Sequence, residues 1–423
     1  MGEADKQIGE YEGAGSNSYR SSIAKALAGL AAYPWALDPL AISNWRCDMR
    51  RALAVPITLL TLACNERPEL SGDTEAWTIR SDPLLQIGVA DGDEPYLLHN
   101  VQDVAMFSDG RIAVANGGSQ EIRIYGRDGA HVMTIGRAGD GPGEFRSLAS
   151  VDVTAADSVV AFDSGIRRVS VFDERGGYAR SWSFESPGRG IYPSKARVLE
   201  DGSVVIAFLR GRMPGDPPGI FREHGPVVRY SSDGHELGAI AQLPGEEWYY
   251  SEKQSILIAL PFGRGSHFAT TRNRVYIGDG NDLIAYAAAG DSLHAVRPFE
   301  ARAVAQGDIE GVNNRRLSSI PAEARPKYHA LFAELPYPDT LPRYSRIVGG
   351  DGEIILVEQY RVSPDQQSWW QAIGVTGEPL ALLELPVGYS PYRVNGSTVL
   401  GLTRDSTDVE VVVAYELSIS QSE

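Results

Sequence analysis

The sequence predicts an all-β protein: a six-bladed β-propeller of four-stranded blades, with a helical insertion between blades four and five. Three observations lead there. A turn-plus-strand unit recurs six times, a second hairpin follows most copies, and the last copy lacks a strand that segments near the start of the repeats can supply. Self-similarity of this kind marks an array of supersecondary units that bury a core only by stacking on their neighbours. A ring of four-stranded sheets closed by a terminal strand satisfies that need and leaves few exposed edges.

The unit is an apolar position, a tight turn and an alternating strand. It appears as Phe107-Ser108-Asp109-Gly110-Arg111-Ile112-Ala113-Val114, then from Leu199 through Asp201-Gly202 to Ile206, then from Gly350 through Asp351-Gly352 to Leu356. Degenerate copies run over 156–162, 272–277 and 395–400. Asp-Gly and Asn-Gly suit two-residue hairpins, because type I′ turns need positive φ at both central residues. In the second hairpins, 122–125 leads through Asp128-Gly129 to 131–135, and 169–172 through Gly176-Gly177 to 178–184. Residues 227–230 turn at Asp233-Gly234, 283–286 at Gly290 and 370–375 at Gly377. The sixth copy ends with 409–417, and either 77–79 or 84–87 can complete its sheet, so the propeller is expected over 75–418.

Two insertions interrupt the spacing. Residues 210–224, rich in Gly and Pro, read as a loop. A longer one covers about 299–342. Within it, 321–325 and 327–335 read as helix, with Tyr328, Leu331, Phe332 and Leu335 at i, i+3, i+4 and i+7. Pro336, Pro338 and Pro342 then return the chain to extended form. The helix either walls a pocket at the channel mouth or packs its apolar stripe on a blade edge.

Residues 135–145, Ile-Gly-Arg-Ala-Gly-Asp-Gly-Pro-Gly-Glu-Phe, resemble the linker of NHL-type propeller repeats, and 160–172 resembles the body of such a repeat. The resemblance is strongest over about 101–185, with weaker copies to the C-terminus. The wider pattern is similar to bacterial six-bladed β-propeller lipoproteins of undefined activity, a resemblance that implies fold more than function.

Met49-Arg50-Arg51, the apolar run to Ala63, and Cys64 read as a lipoprotein signal peptide over 49–63. The run is too short to span a bilayer, which takes about 20 apolar residues. Leu60-Thr61-Leu62-Ala63-Cys64 resembles a lipobox, which implies lipidation of Cys64 and a membrane partner through that lipid. Asn65 in place of Asp implies, by the same resemblance, outer-membrane sorting, facing the periplasm or the surface. Residues 64–74 are then a linker. Residues 1–48 are either untranslated, with the start at Met49, or a short extension with a helix over 22–32. Cys47 and Cys64 are the only cysteines, so a mature chain beginning at Cys64 has no disulfide. With 39 basic against 55 acidic residues, a nucleic-acid partner is not expected. The domain is expected to be a monomer.

Signatures of familiar chemistry are missing. Gly139-Asp140-Gly141-Pro142-Gly143 carries Pro142 and precedes a strand, whereas a dinucleotide fingerprint must open a helix. No zincin or nucleophile-elbow motif occurs. His99, His131, His224, His235, His267, His294 and His329 show no ligand spacing. Asp163 and Asp279 sit where repeats of this kind carry a turn-stabilising Asp. Aromatic and basic residues supply the binding candidates: Trp248 after blade three, and Arg343, Tyr344, Tyr360, Trp369 and Trp370 around blade five. Strand alternation forbids Trp369 and Trp370 from both being free. The expected function is a binding module for a protein, peptide or glycan, with no cofactor. The alternative is a hydrolase or lyase assisted by calcium or zinc in the channel.

Overall fold

The computed structural model describes residues 75–420. The 1–48 extension, the signal peptide over 49–63, Cys64 and the 64–74 linker lie outside the described residues. Blade one consists of Val101–Met106, Ile112–Asn116, Glu121–Tyr125 and His131–Ile135. Blade two follows with Leu148–Val153, Val159–Asp163, Arg168–Phe172 and Tyr178–Ser183. Blade three is Ile191–Val198, Val204–Arg210, His224–Tyr230 and Glu236–Pro244. Blade four is His267–Thr271, Arg274–Gly278, Leu283–Ala287 and Ser292–Val296. Blade five is Tyr344–Val348, Ile354–Gln359, Ser368–Gly374 and Pro379–Leu385.

Blade six has three strands from the C-terminal end, Ser390–Asn395, Thr398–Arg404 and Glu410–Ser420. Both N-terminal segments complete it. Glu75–Ile79 pairs antiparallel with one end of the last strand and Leu85–Ile87 with its middle. Glu75–Ile79 also pairs in parallel with Pro379–Leu385, joining the outer edges of blades five and six. The ring is therefore closed by backbone hydrogen bonds between the two ends of the domain.

Six apolar clusters hold the blades together, one at each interface. Ile112 and Val114 face Leu400 and Val412 of blade six, while Ala113 and Ala115 on the same strand face Val151 and Ala161 of blade two. Alternate residues thus serve opposite neighbours, which is why a strand with period-2 geometry is apolar throughout. The clusters built on Val160 and Ile206, Val205 and Val275, Tyr276 and Ile355, and Leu356 and Val399 repeat the arrangement around the ring.

The Asp-Gly turns differ from the two-residue hairpins expected. At Ser108-Asp109-Gly110, the Gly110 N–H donates to the Phe107 carbonyl (3.0 Å) and the Phe107 N–H to that of Arg111 (2.9 Å). Of the residues in this loop, only Gly110 has positive φ (85°). This is a three-residue loop ending in a left-handed glycine, a form that needs one such residue instead of two.

Successive strands are antiparallel, so the tight turns after first and third strands lie on one face of the ring. The loops after second strands and those between blades lie on the other, and that face carries every large insertion. Residues 210–224, expected to be loop throughout, contain the strand Gly219–Phe221. It pairs with Trp248–Ser251, which pairs with Ile256–Ala259, in a separate three-stranded sheet. The strand was hidden because its partner lies beyond the rest of blade three in sequence. Between blades four and five stand α1 (Gln306–Ser318) and α2 (Arg325–Glu334). α2 lies within the expected 321–335 region, but residues 321–324 form a turn before it. α1 was not expected, since it has no apolar stripe and Leu317 is its one buried residue. Asp308 accepts the Ala305 N–H (3.0 Å) at its start, and Arg315 and Arg316 lie in its last turn, where cations favour the helix dipole.

Candidate functional site

The channel is lined by the first strands of the blades, and charged residues on those strands cross it. Asp103 of blade one is fully buried and takes two hydrogen bonds from Arg197 of blade three, Nη1 to Oδ2 at 2.7 Å and Nη2 to Oδ1 at 3.3 Å. Arg393 of blade six donates through Nη2 to the Val151 carbonyl (2.9 Å) and lies 3.3 Å from Asp152 Oδ1 and 3.6 Å from Asp103 Oδ2. Asp152 Oδ2 accepts the Val198 N–H (2.9 Å). Two carboxylates and two guanidiniums from blades six, one, two and three thus form a neutral plug. Burial alone would raise the Asp103 pKa, but Arg197 and Arg393 outweigh it and hold the carboxyl below its ordinary range. Burial, reinforced by Arg197, pushes the neighbouring Lys195 down to about 7. Beside these groups is a cavity of about 20 Å³ lined by Lys195, Arg197, Thr270, Gly349 and Tyr392 among others. Among the described residues, no group of three or more His, Cys, Asp or Glu side chains is arranged to hold a metal ion.

The insertions assemble a cap with its own core. Leu317, Leu331, Phe332 and Leu335 of the helical segment pack with Tyr249, Ile256 and Ile258 of the extra sheet. Arg316 Nη1 donates to the Ala259 carbonyl (3.1 Å), and Arg315 Nη2 to the Val362 carbonyl of blade five (2.5 Å). A groove of about 550 Å³ runs along the helices, lined by Glu310, Asn313, Asn314, His329, Phe332 and Tyr337 among others.

A charged seam runs where the extra sheet meets blade four. Arg264 grips Glu247 through both its backbone N–H (3.0 Å) and its side chain (2.7 Å), while Arg222 and Arg264 approach Asp279 Oδ2 at 3.4 and 3.5 Å. Asp279 Oδ1 accepts the N–H groups of Asn281 (2.9 Å) and Asp282 (3.0 Å), so this Asp both stabilises its turn and anchors the seam. Asp163 is a turn residue outright: its carboxylate accepts the N–H groups of Arg146, Ser147, Gly165 and Ile166. His267 lies nearby, its ring centroid 5.0 Å from that of Tyr344, and burial depresses its pKa to about 4.

The six aromatic and basic candidates do not converge on one surface. Tyr344 and Trp370 are both 0% exposed, and each has an internal hydrogen bond: Tyr344 to the Asp282 carbonyl (2.8 Å) and Trp370 to Ser368 Oγ (2.8 Å). Burial leaves them as core residues with no side-chain surface to offer a partner. Trp369 is half-buried and packs at the interface of blades four and five. Trp248 is in the middle strand of the extra sheet, opposite Phe221 and Ala259. Tyr360 and Arg343 are partly buried and joined through the backbone, Tyr360 N–H to Arg343 carbonyl at 3.2 Å. Burial raises the Tyr360 phenol to about 12.

The channel residues Asp103, Asp152, Lys195, Arg197 and Arg393 were missed, as were His267, Arg222 and Arg264. A signal for the first group existed. Each lies on the first strand of its blade, beside apolar residues, as in Val101-Gln102-Asp103-Val104 and Ser150-Val151-Asp152-Val153. A charge there is an exception that asks for a partner.

Fold and site together define the class: a capped six-bladed β-propeller with an ion-paired channel. Residues 92–184, which span blades one and two, match the family described as 6-bladed beta-propeller. No curated protein matches the chain. Among solved structures, the chain is similar to a Bacteroides fragilis protein described as exported (14% identity, 83% of this chain and 98% of that one, TM-score 0.46). It is also similar to a member of the DUF4221 family from Bacteroides vulgatus (10% identity, 82% and 100%, TM-score 0.47). A third is virginiamycin B lyase from Staphylococcus aureus (9% identity, 80% and 99%, TM-score 0.40).

Proposed function

We propose that the protein is a lipid-anchored propeller of the cell envelope that binds a protein, peptide or glycan on its capped face. The observation that carries this reading is the concentration of every large insertion on one face, where the extra sheet and two helices share a core and leave a groove of about 550 Å³. Grooves of that volume fall in the range of ligand sites, and a loop-borne surface on a rigid ring is where binding function is commonly placed. The lipobox-like segment ending at Cys64 supports the anchor.

The test is capture of partners from envelope extracts, with a glycan array alongside, comparing the intact chain with one in which residues 303–340 are replaced by a short linker. Ala303 and Thr340 form a bridge, so their backbones are already adjacent. Loss of a partner on cap removal supports the reading, and a partner retained in full overturns it. Cys64→Ser is expected to move the protein from the membrane to the soluble fraction. Stoichiometric calcium or zinc in the purified chain, with substrate turnover abolished by channel substitutions, would instead establish the metal-assisted hydrolase or lyase.

A further inference from the structure

We propose that the lipid anchor holds the uncapped face of the ring toward the membrane, so that the cap groove takes a water-soluble occupant from the aqueous compartment and none from the bilayer that carries the anchor. The orientation rests on the lipid anchor of the proposed function, and the strand that follows Cys64 sets its direction.

Glu75–Ile79 runs antiparallel to Glu410–Ser420, the strand that ends blade six. The latter starts on the capped face. Glu410 Oε2 accepts the N–H of Val101 (2.7 Å), the residue at which the chain enters the first strand of blade one. It finishes beyond the uncapped face. Thr398, which follows the Gly396-Ser397 turn, pairs with Glu416, and the strand continues past that level to Ser420. Ala76 pairs with Ser420, Ile79 with Leu417, Leu85 with Ala414 and Ile87 with Val412. The chain thus joins the ring from beyond its uncapped rim and climbs toward the cap.

The point of entry is fixed. Glu75–Ile79 is hydrogen-bonded on both sides, to Pro379–Leu385 and to Glu410–Ser420. The Arg80 N–H donates to the Glu416 carbonyl (3.0 Å), and Arg80 Nη1 lies 2.9 Å from Glu416 Oε2. Trp77 and Ile79 pack on the apolar cluster between blades five and six, so peeling the strand away would open that interface.

Reach decides between the two faces. Glu75 follows Cys64 by eleven positions, and that many residues span at most about 40 Å in any conformation. Glu410–Ser420, which the chain must pass to arrive at the capped rim, is itself about 35 Å long at its 11 residues. A layer of helix adds about 10 Å above that rim. The outer surface of the cap therefore lies beyond the reach of Cys64, whereas the uncapped rim lies beside it.

The experiment places a donor fluorophore at Ser232→Cys, in an exposed turn of blade three on the uncapped face, or at Ser318→Cys, at the exposed end of α1 in the cap. Both variants are made in the lipidated full chain with Cys47→Ser. They are reconstituted in phosphatidylethanolamine–phosphatidylglycerol vesicles that carry an acceptor on their headgroups, and energy transfer reads height above the bilayer. Because the two positions differ in height by about 30 Å, transfer from residue 232 is expected to be at least about twofold more efficient than from residue 318. Equal transfer, or more from residue 318, overturns the orientation and leaves the anchor standing. A chain that does not float with the vesicles removes the anchor, and the orientation with it. Inserting about thirty Gly and Ser residues after Asn65 should bring the two efficiencies together, and a difference that survives the insertion overturns the tether as its cause.

Discussion

Arg197 reaches past the first strand of blade two to grip Asp103 of blade one, Nη1 to Oδ2 at 2.7 Å, across 94 residues of sequence. Arg393 completes the clasp from blade six, so the blade that closes the ring is tied ionically to the two that follow it. A propeller has no covalent closure. Here backbone pairing at the rim and ion pairs at the axis secure the same joint.

Removing one partner should expose the cost of the other. Asp103→Asn is expected to destabilise the protein by about 3–5 kcal/mol, because Arg197 would keep its buried charge without the carboxylate it pairs with, while Arg393 retains Asp152. The double variant Asp103→Leu, Arg197→Met should lose less than the sum of its singles, as buried pairs often tolerate apolar replacement. Urea denaturation of the cycle measures both.

Stability should fall with acid through His267. Its folded pKa of about 4 lies below its ordinary value of 6.5, so between those values the unfolded chain binds a proton that the folded chain does not. The resulting loss, up to about 3 kcal/mol, is expected as pH drops from 6.5 to 4 and is complete below that window. His267→Gln should flatten this limb, as read by denaturation midpoints across the range.

Gly349→Ala should destabilise without altering charge. The added Cβ would meet the Thr270 carbonyl oxygen at 2.1 Å, so the inner strands of blades four and five must part. Overpacking of this kind costs about 1–3 kcal/mol, measurable as a lower melting temperature.

The cap should be separable from the ring. Leu331 is fully buried in the cap core, and Leu331→Ala is expected to cost that core about 2–5 kcal/mol. Hydrogen exchange should then accelerate over 306–334 while blades one and two keep their protection. Equal acceleration in both regions would show that cap and ring unfold together.

The ring was legible in the sequence because its signals are local. A turn needs its Gly within a few residues, a strand shows its own periodicity, and the missing strand of blade six announced itself as a deficit that Glu75–Ile79 and Leu85–Ile87 both fill. α2 was legible for the same reason. α1 was not, since a helix with one buried residue carries no apolar period. The strand Gly219–Phe221 was hidden because its pairing with Trp248–Ser251 spans most of a blade. The channel depends on a still longer range. Which charge faces Asp103 follows from where blades three and six come round to meet blade one, a property of the closed ring that no window of sequence contains. Sequence alone therefore determined the repeat, its number and its closure. Only the tertiary structure decided which aromatics are core, which face is capped and which charges meet at the axis, because burial and ion pairing depend on neighbours distant along the chain.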